Sequence, residues 1–533
     1  MHRGARARQL MTAVALGATF AFAPVATGCR TTTEDVERWA NTAQGPRKLV
    51  AVLTHDKYPL ELRVEAAMTL VRMKPRGGRR VGIENLTSAL EELPPAERAK
   101  VVEKMVPRLV EAIRQPPPKA QASGQPEQPD PSFPFKDAAY ALLTHDDGTL
   151  VQSQENRATL RAALTDWAMA DFADRMDESS QMYGMDQVLR VLGSEGVARL
   201  PEQIEPNAKK IDRMADLIAE LGSDDAKQRA GQRLVAVARQ VDSEQWMKQK
   251  APAVEAANKA SNLNPSKKQF EVQLQQYQEE ELLRVFSSMK RLGGKDIVDY
   301  LIGFAQNTAN TPKRRAAALA ALEGNLDKSN PQHAQAMLAL AANNDTPDLV
   351  RDVALRRVGE MPRHLVIEKL YELFQNDRWQ VRRVAAELAL RMSDTAHVDE
   401  FMNQLRKAEG MAITEPLRYG AIIGEMKGPQ KPKQVLSKYL AKSAPVQARL
   451  SALGYYYEHG TKNEISEVDA LSTDKTKVPE CKRDAKDCEW TCTVSSGKEQ
   501  QDKEIKTVGD FVKYCVEPAM EKRAQKPAPQ GAR

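Results

Sequence analysis

Apolar positions recur with the period of an α-helix through most of this chain. In residues 377–390 (DRWQVRRVAAELAL) the apolar stripe consists of Val381, Val384, Ala385, Leu388 and Ala389. This i, i+3, i+4, i+7, i+8 spacing is typical of a helix that buries one face. Three further helices are predicted in the same region, at 332–342, 366–374 and 397–406. The pattern therefore predicts an all-α fold.

The helical pattern repeats itself between residues 311 and 454. Each copy has an Arg followed three residues later by an Ala, and successive Args lie 36, 31, 36 and 31 residues apart. The Args of this series are Arg315, Arg351, Arg382, Arg418 and Arg449, and Arg63 has the same phase near the N-terminus. A period of this length indicates stacked helical hairpins, none of which can bury its apolar face alone.

Residues 346–359 (TPDLVRDVALRRVG) and 377–390 resemble the second helix of a HEAT repeat. The resemblance implies an α-α superhelical solenoid, and we predict a single one over residues 46–460. It also implies that the recurring Arg bonds turn carboxylates and carbonyls of the adjacent repeat. This structural role is favoured over a column of ligand-binding Arg side chains on one face.

The N-terminus carries a targeting pattern. Arg3, Arg6 and Arg8 precede a largely apolar stretch, 11–26, which ends in Ala-Thr-Gly-Cys. This arrangement resembles a bacterial lipoprotein signal peptide. The resemblance implies that Cys29 is acylated, with palmitate among the attached chains, and becomes the first residue of the mature protein. The expected location is the bacterial cell envelope, on the outer membrane and facing the periplasm or the cell surface. The alternative is an ordinary secretory signal that is cleaved nearby.

Composition divides the chain into segments. The predicted order is a signal peptide at 1–28, a tether at 29–45, HEAT-like helices at 46–114, a Pro-rich loop at 115–135, irregular helical repeats at 136–294, a HEAT-like array at 295–460, a Cys-containing module at 461–521 and a disordered tail at 522–533. Leu-Gly pairs predict helix ends at Gly193, Gly222 and Gly293. The Pro-rich segment is interpreted as a solvated insertion rather than as a docking ligand.

The remaining four cysteines, Cys481, Cys488, Cys492 and Cys515, lie within 35 residues of each other. In an exported chain this favours two disulfides over a zinc site, because the spacing lacks the close pairs of structural zinc ligands. If the run through Trp490 is extended, Cys488 and Cys492 lie about 13 Å apart and cannot pair. Two pairings stay open: Cys481–Cys488 with Cys492–Cys515, which we favour, and Cys481–Cys492 with Cys488–Cys515.

The C-terminal module is predicted to cover the last apolar face of the solenoid. Thr507 and Asp510 form a capping-box pattern, which predicts the start of a helix that continues through Cys515 and ends at Pro518. The disulfides would stabilise this small module. The alternative to a capping role is that the module binds a partner protein.

The net charge and the absence of known catalytic motifs argue against two classes of function, nucleic-acid binding and catalysis. Removal of residues 1–28 takes the formal net charge from +6 to about 75 − 72 = +3, and aromatic residues make up 5% of the chain. These values argue against a basic, aromatic-laced nucleic-acid surface. The chain lacks the G-x-S-x-G, H-E-x-x-H and C-x-x-C-H motifs, and its two Leu-Thr-His-Asp stretches are interpreted as capped turns.

We therefore predict no catalytic residues, no metal ligands and no cofactor. The expected function is a non-enzymatic protein-binding scaffold of the bacterial cell envelope. Its partners would be other envelope proteins bound through the solenoid groove, and its N-terminal lipid would hold it to the membrane. The alternative function is an accessory or regulatory subunit of an envelope or cell-wall enzyme.

Overall fold

The structure is a computed structural model that describes residues 31–76, 79–116, 130–170, 172–176, 182–408, 410–479, 491–496 and 499–523. The signal-peptide segment with Cys29, and the cysteines Cys481 and Cys488, lie outside these residues. The described part is predominantly helical and contains one antiparallel pair of strands. Among its helices, none is both long enough and apolar enough to cross a membrane.

Described residues up to Leu192 form a first compact unit. Its helices are α1 (Thr33–Trp39), α2 (Gly45–Thr54), α3 (Leu60–Arg72), α4 (Val81–Glu92), α5 (Pro95–Ile113), α6 (Phe133–Thr144), α7 (Gln154–Ala170), α8 (Phe172–Met176) and α9 (Met185–Leu192). Helices α2, α3 and α4 pack against one another, and α5 packs against α3, α6 and α7.

The second compact unit begins at Gly193. Its first helices are α10 (Ser194–Val197), α11 (Ile211–Leu221), α12 (Asp224–Val241), α13 (Glu244–Ala260), α14 (Lys267–Leu292) and α15 (Lys295–Gln306). The array continues with α16 (Pro312–Ala321), α17 (Pro331–Ala342), α18 (Asp348–Val358), α19 (Arg363–Leu373), α20 (Trp379–Arg391), α21 (Val398–Lys407), α22 (Thr414–Gly424), α23 (Pro432–Leu436) and α24 (Val446–His459).

The array has two layers of helices. In one layer α16 packs against α14 and α18, and α22 packs against α20 and α24. In the other layer α17 packs against α15 and α19, while the two layers meet through contacts such as α17 with α18 and α19 with α20. Each hairpin thus buries its apolar face against the next hairpin, as a solenoid requires. The predicted all-α, HEAT-like solenoid is confirmed.

Sequence periodicity located these helices to within a few residues. The segments predicted at 332–342, 366–374 and 397–406 correspond to α17, α19 and α21. Helix α19 begins three residues earlier than predicted, because Pro362 precedes its first turn and the apolar pattern starts only after that turn. The predicted Leu-Gly helix ends are also observed: α9, α11 and α14 end at Leu192, Leu221 and Leu292.

Residues 133–135, which the sequence analysis placed in the Pro-rich loop, belong to the first turn of α6, which begins at Phe133. Pro134 lies in the first turn of that helix, where an N–H group would have no acceptor within the helix, so its ring is tolerated there. The described residues fall into two compact units, and the single superhelix predicted over 46–460 stays a prediction. The division falls at Gly193, whose positive φ of 62° interrupts the helical path.

A small module follows α24. It contains α25 (Ile465–Asp469), strands β1 (Thr491–Ser496) and β2 (Glu499–Glu504), α26 (Val508–Phe511), one π-helical turn (Val512–Val516) and α27 (Glu517–Arg523). The strands pair antiparallel, with Thr491 opposite Glu504. Side chains from α24 (Leu450, Leu453 and Tyr456) form one buried cluster with side chains from 508–520. The module therefore covers the apolar face of α24.

Candidate functional site

Five of the six predicted ladder arginines are buried at equivalent places. Arg63, Arg315, Arg351, Arg382 and Arg449 are each 5% exposed or less. Each is the fourth residue of its helix, α3, α16, α18, α20 and α24 respectively. The Ala three residues further on is fully buried in every case. The repeat therefore places one Arg and one Ala on the buried face of each of these helices.

Each of these guanidinium groups bonds the end of the preceding helix or turn. The Nε atom of Arg63 donates to the carbonyl oxygen of Leu53 at 2.8 Å, and that of Arg315 donates to Ala305 at 2.6 Å. The equivalent bonds of the others are Arg351 to Asn343 at 2.9 Å, Arg382 to Asn376 at 3.2 Å and Arg449 to Ala444 at 3.2 Å. These carbonyls lie at or beyond a helix C-terminus, where acceptors lack helical partners and the helix dipole favours a cation.

Three of these five arginines also pair with a carboxylate that lies one repeat further along the chain. Arg382 forms a bidentate pair with Glu415, at 2.9 and 3.0 Å, and both side chains are buried. Arg63 forms a single bond to Glu97 at 2.9 Å, and Arg449 pairs with Asp474. The carbonyl partners thus belong to the same hairpin, while these carboxylates belong to the next element along the chain. This differs in part from the prediction, which assigned both partners to the adjacent repeat.

The Arg449–Asp474 pair joins the array to the C-terminal module. Burial by itself raises the pKa of the Asp474 carboxyl, but hydrogen bonds from Thr476 and the Arg449 guanidinium outweigh it and hold that pKa below its ordinary value. Asp474 therefore stays ionised opposite Arg449. Because the ladder guanidiniums are enclosed in this way, they cannot serve as a column of ligand-binding groups on the surface.

Arg418 does not belong to the ladder. Its side chain is half exposed and pairs with Glu387, with Nη2 at 3.2 Å from Oε2. Helix α22 begins at Thr414, so Arg418 is its fifth residue, turned about 100° away from the fourth position. Leu417 occupies the fourth position and Gly420 follows three residues later, in place of the usual Arg and Ala.

The substitution of Gly for Ala in α22 has a structural reason. A Cβ at Gly420 would lie 1.7 Å from the carbonyl oxygen of Ser451, and one at Gly454 would lie 2.2 Å from that of Leu417. The backbones of α22 and α24 are therefore in direct contact. The Ser451 hydroxyl donates to the Pro416 carbonyl at 2.8 Å and adds a polar bond to this contact.

A buried ionic cluster, which the sequence did not predict, lies in the first unit. The Lys136 ammonium donates to Asp137 at 2.6 Å and lies 5.1 Å from the ring centre of Trp167. Arg175 lies 5.0 Å from the same ring and bonds Asp130 at 3.1 Å. Burial lowers the pKa of Lys136, although the Asp137 charge opposes this effect. All five side chains are at most 2% exposed. We therefore interpret the cluster as structural, holding α6, α7 and α8 together.

Exposed apolar side chains concentrate on the α13–α14 hairpin. Of the large apolar side chains that the structure describes, five are markedly exposed, and Leu263, Val272 and Tyr277 of this hairpin are three of them, at 55%, 44% and 41%. An open groove of about 650 Å³ lies at the tip between Leu263, Pro265 and Val272. The tip of the hairpin is thus available for contact.

A second exposed surface lies at the N-terminal turns of α18 and α20. Leu349 is 52% exposed, and Trp379 is partly exposed beneath the Arg383 guanidinium, 5.4 Å from the ring centre. The neighbouring residues Asp348 and Arg378 form an ion pair at 3.1 Å, which brings the two turns together. We call this surface the Leu349–Trp379 patch.

The C-terminal module contains the predicted disulfide. Cys492 of β1 is bonded to Cys515 of the π-helical turn, which agrees with the favoured pairing for these two residues. The pairing of Cys481 with Cys488 remains a prediction. Thr507 and Asp510 form the predicted capping box at the start of α26.

The predicted end of this last helical stretch was wrong. Helix α27 continues past Pro518 to Arg523, directly after the π-helical turn. Residues 522 and 523 of the predicted tail belong to this helix. Arg523 bonds the carbonyl oxygens of Gly460, at 2.9 Å, and Tyr457. These bonds attach α27 to the end of α24.

Potential metal ligands do not converge in the part of the chain that the structure describes, where no three His, Cys, Asp or Glu side chains could hold an ion together. The two His-Asp dipeptides lie in turns: His55 follows the end of α2, and His145 begins a 3₁₀ turn. His145 lies 3.2 Å from Glu91, and His55 lies 3.8 Å from Asp56.

Comparison with known proteins finds distant structural similarity only. No family model and no curated protein matches the chain. It is similar to a crystal structure of Kap121p, with a TM-score of 0.32 and 14% identity over 83% of this chain and 46% of that chain. It is also similar to a structure of importin beta in an ammonium sulfate condition, with a TM-score of 0.20 and 14% identity over 83% of this chain and 60% of that chain.

The chain spans about half the length of Kap121p. At these TM-scores the similarity adds no argument about function, and the fold assignment rests on the helix packing described above.

Proposed function

We propose that this chain is a lipid-anchored, non-enzymatic scaffold of the bacterial cell envelope, and that it binds other envelope proteins through the repeat array. The observation that carries the proposal is the Leu349–Trp379 patch. Trp and Arg are enriched among the residues that dominate binding energy in protein interfaces. Here Arg383 lies over the Trp379 ring, so the indole is already oriented before a partner arrives.

The position of the patch also supports a binding role. Leu349 and Trp379 lie on two consecutive ladder helices, α18 and α20, whose buried faces are fixed by Arg351 and Arg382. The exposed side chains are thus presented by a rigid support. A partner that covers them would remove apolar surface from water without any rearrangement of the array.

Site-specific photo-crosslinking in cells tests the binding role. A photoreactive amino acid in place of Leu349 is expected to crosslink to a discrete envelope protein, whereas the same group in place of Glu368 of α19, in the other layer, is not. Adding Trp379→Ala should reduce the Leu349 crosslink several-fold without a change in helix content. Equal crosslinking at both positions, or none at position 349, would contradict the proposal. An envelope enzyme as the captured partner would favour an accessory-subunit role.

The lipid anchor rests on the sequence pattern before Cys29 and is tested separately. The intact mass of the protein extracted from membranes should show a diacylglyceryl-sized addition on a chain that begins at Cys29. Cys29→Ser is expected to prevent that modification and to move the protein out of the membrane fraction. A mature chain that begins elsewhere, with an unmodified cysteine, rules the anchor out.

A further inference from the structure

Helix α13 shows most of its surface to solvent. Of its 17 residues only Trp246 and Asn258 are buried. Trp246 stacks on Tyr277 of α14 with ring centres 5.7 Å apart, and Asn258 donates to Gln273 of α14 at 3.0 Å. These contacts attach one edge of α13 along α14. Exposed and uncharged side chains form a face that extends from beside Trp246 to the far side of the helix: Gln245, Gln249, Pro252, Ala253, Ala256 and Ala260.

A row of alternating charges borders this face. Glu244, Lys248, Glu255 and Lys259 follow one another along α13, and at 100° per residue they fall within an arc of about 60°. Two ion pairs link them within the helix, Lys248 with Glu244 at 3.8 Å and Lys259 with Glu255 at 3.2 Å. All four side chains are more than 60% exposed. The order of charge along the helix is minus, plus, minus, plus.

We infer that α13 pairs antiparallel with α13 of a second copy of this chain. A two-fold axis between residues 251 and 252 places Glu244 opposite Lys259 of the second copy, and Lys248 opposite Glu255 of the second copy. Every charge in the row then faces its opposite. Parallel pairing in register would place like charges together, so the pattern specifies the antiparallel orientation.

The charge balance of the row favours a second copy over other occupants. Two acidic and two basic side chains sum to zero, whereas an anionic membrane surface or a nucleic acid is recognised by a net basic face. The Gln and Ala side chains beside the row are short or uncharged, so two helix axes can approach to the 8–10 Å typical of packed helices.

The expected association is weak and concentration-dependent. A helix of 17 residues is about 25 Å long, so the paired helices alone form an interface at the small end of specific protein contacts. Exposed ion pairs contribute little affinity but determine orientation and partner choice. The array of each copy would remain available to other proteins.

Charge exchange tests this pairing with two double variants of the full chain. Glu244→Lys with Glu255→Lys makes the row entirely basic, and Lys248→Glu with Lys259→Glu makes it entirely acidic. In sedimentation velocity with density-matched detergent, the wild-type protein should show a monomer–dimer equilibrium. Each variant alone should associate at least about tenfold more weakly, because four attractive contacts become four repulsive ones.

An equimolar mixture of the two variants is the decisive measurement. It should restore dimerisation, since basic and acidic rows are complementary in the antiparallel arrangement, and this recovery also shows that both variants are folded. A control that exchanges the exposed pair Lys295 and Asp299 of α15 should leave the wild-type equilibrium unchanged. A wild-type protein that stays monomeric, variants that dimerise normally, or a mixture that stays monomeric would each overturn the inference.

Discussion

Replacing Arg382 by Ala is expected to lower the free energy of local unfolding around α20 and α22 by about 3–5 kcal/mol, because it leaves the Glu415 carboxylate buried without its bidentate partner. The carbonyl of Asn376 also loses its bond to Arg382. Hydrogen exchange of the α20 and α22 amides is the appropriate measurement, since a repeat array need not unfold in a single step.

Arg418 provides a matched control for that experiment. It has the same Arg and Ala spacing in the sequence, but its ion pair with Glu387 is half exposed, so Arg418→Ala should cost about 1 kcal/mol or less. Replacing the Arg382 and Glu415 pair together by Met and Leu should recover most of the loss, because no buried charge is then left alone. Equal effects at Arg382 and Arg418 would contradict the assignment of the ladder.

Removing the Cys492–Cys515 bridge has the second large expected effect. With both residues replaced by Ala, the free energy of unfolding of the C-terminal module should fall by roughly 3 kcal/mol, because the bridge closes a loop of 23 residues and restricts the unfolded chain. Amides in 508–520 should exchange faster, while those of α18, which is remote along the array, should not change.

Cys481 and Cys488 supply the control for the bridge. Their joint replacement by Ala should leave the bond between Cys492 and Cys515 intact in a peptide map made without reduction. A map that joins Cys515 to Cys488, or a native protein in which Cys492 reacts with maleimide, would be incompatible with the observed pairing.

The sequence located five of the six predicted ladder arginines, because helix phase and chain spacing agree at those positions. In these five helices the Arg at the fourth position lies beside the C-terminal end of the preceding helix or turn, where carbonyl oxygens need donors. Arg63 and Arg315, which are 252 residues apart, therefore make the same bond. The same local logic located the helix ends at Leu221 and Leu292.

Other features depend on contacts that spacing does not encode. Arg418 has the same motif as the ladder arginines, but it is the fifth residue of α22, and Gly420 of that helix packs directly on α24. The cluster at Lys136 brings together side chains from α6, α7 and α8. Contacts between different helices cannot be predicted from the periodicity within one helix. The composition of α13 also does not indicate which of its faces is exposed to solvent.

The spacing of the bonds between repeats has a mechanical consequence. Arg382 and Glu415 are 33 residues apart and Ser451 and Pro416 are 35 apart, so each of these two bonds joins neighbouring repeats. Under tension the array would lengthen in steps of up to about 115 Å, the extended length of one repeat. The residues between Cys492 and Cys515 would not extend, because the disulfide closes them into a loop. The last segment of the chain would therefore lengthen less than its number of residues suggests.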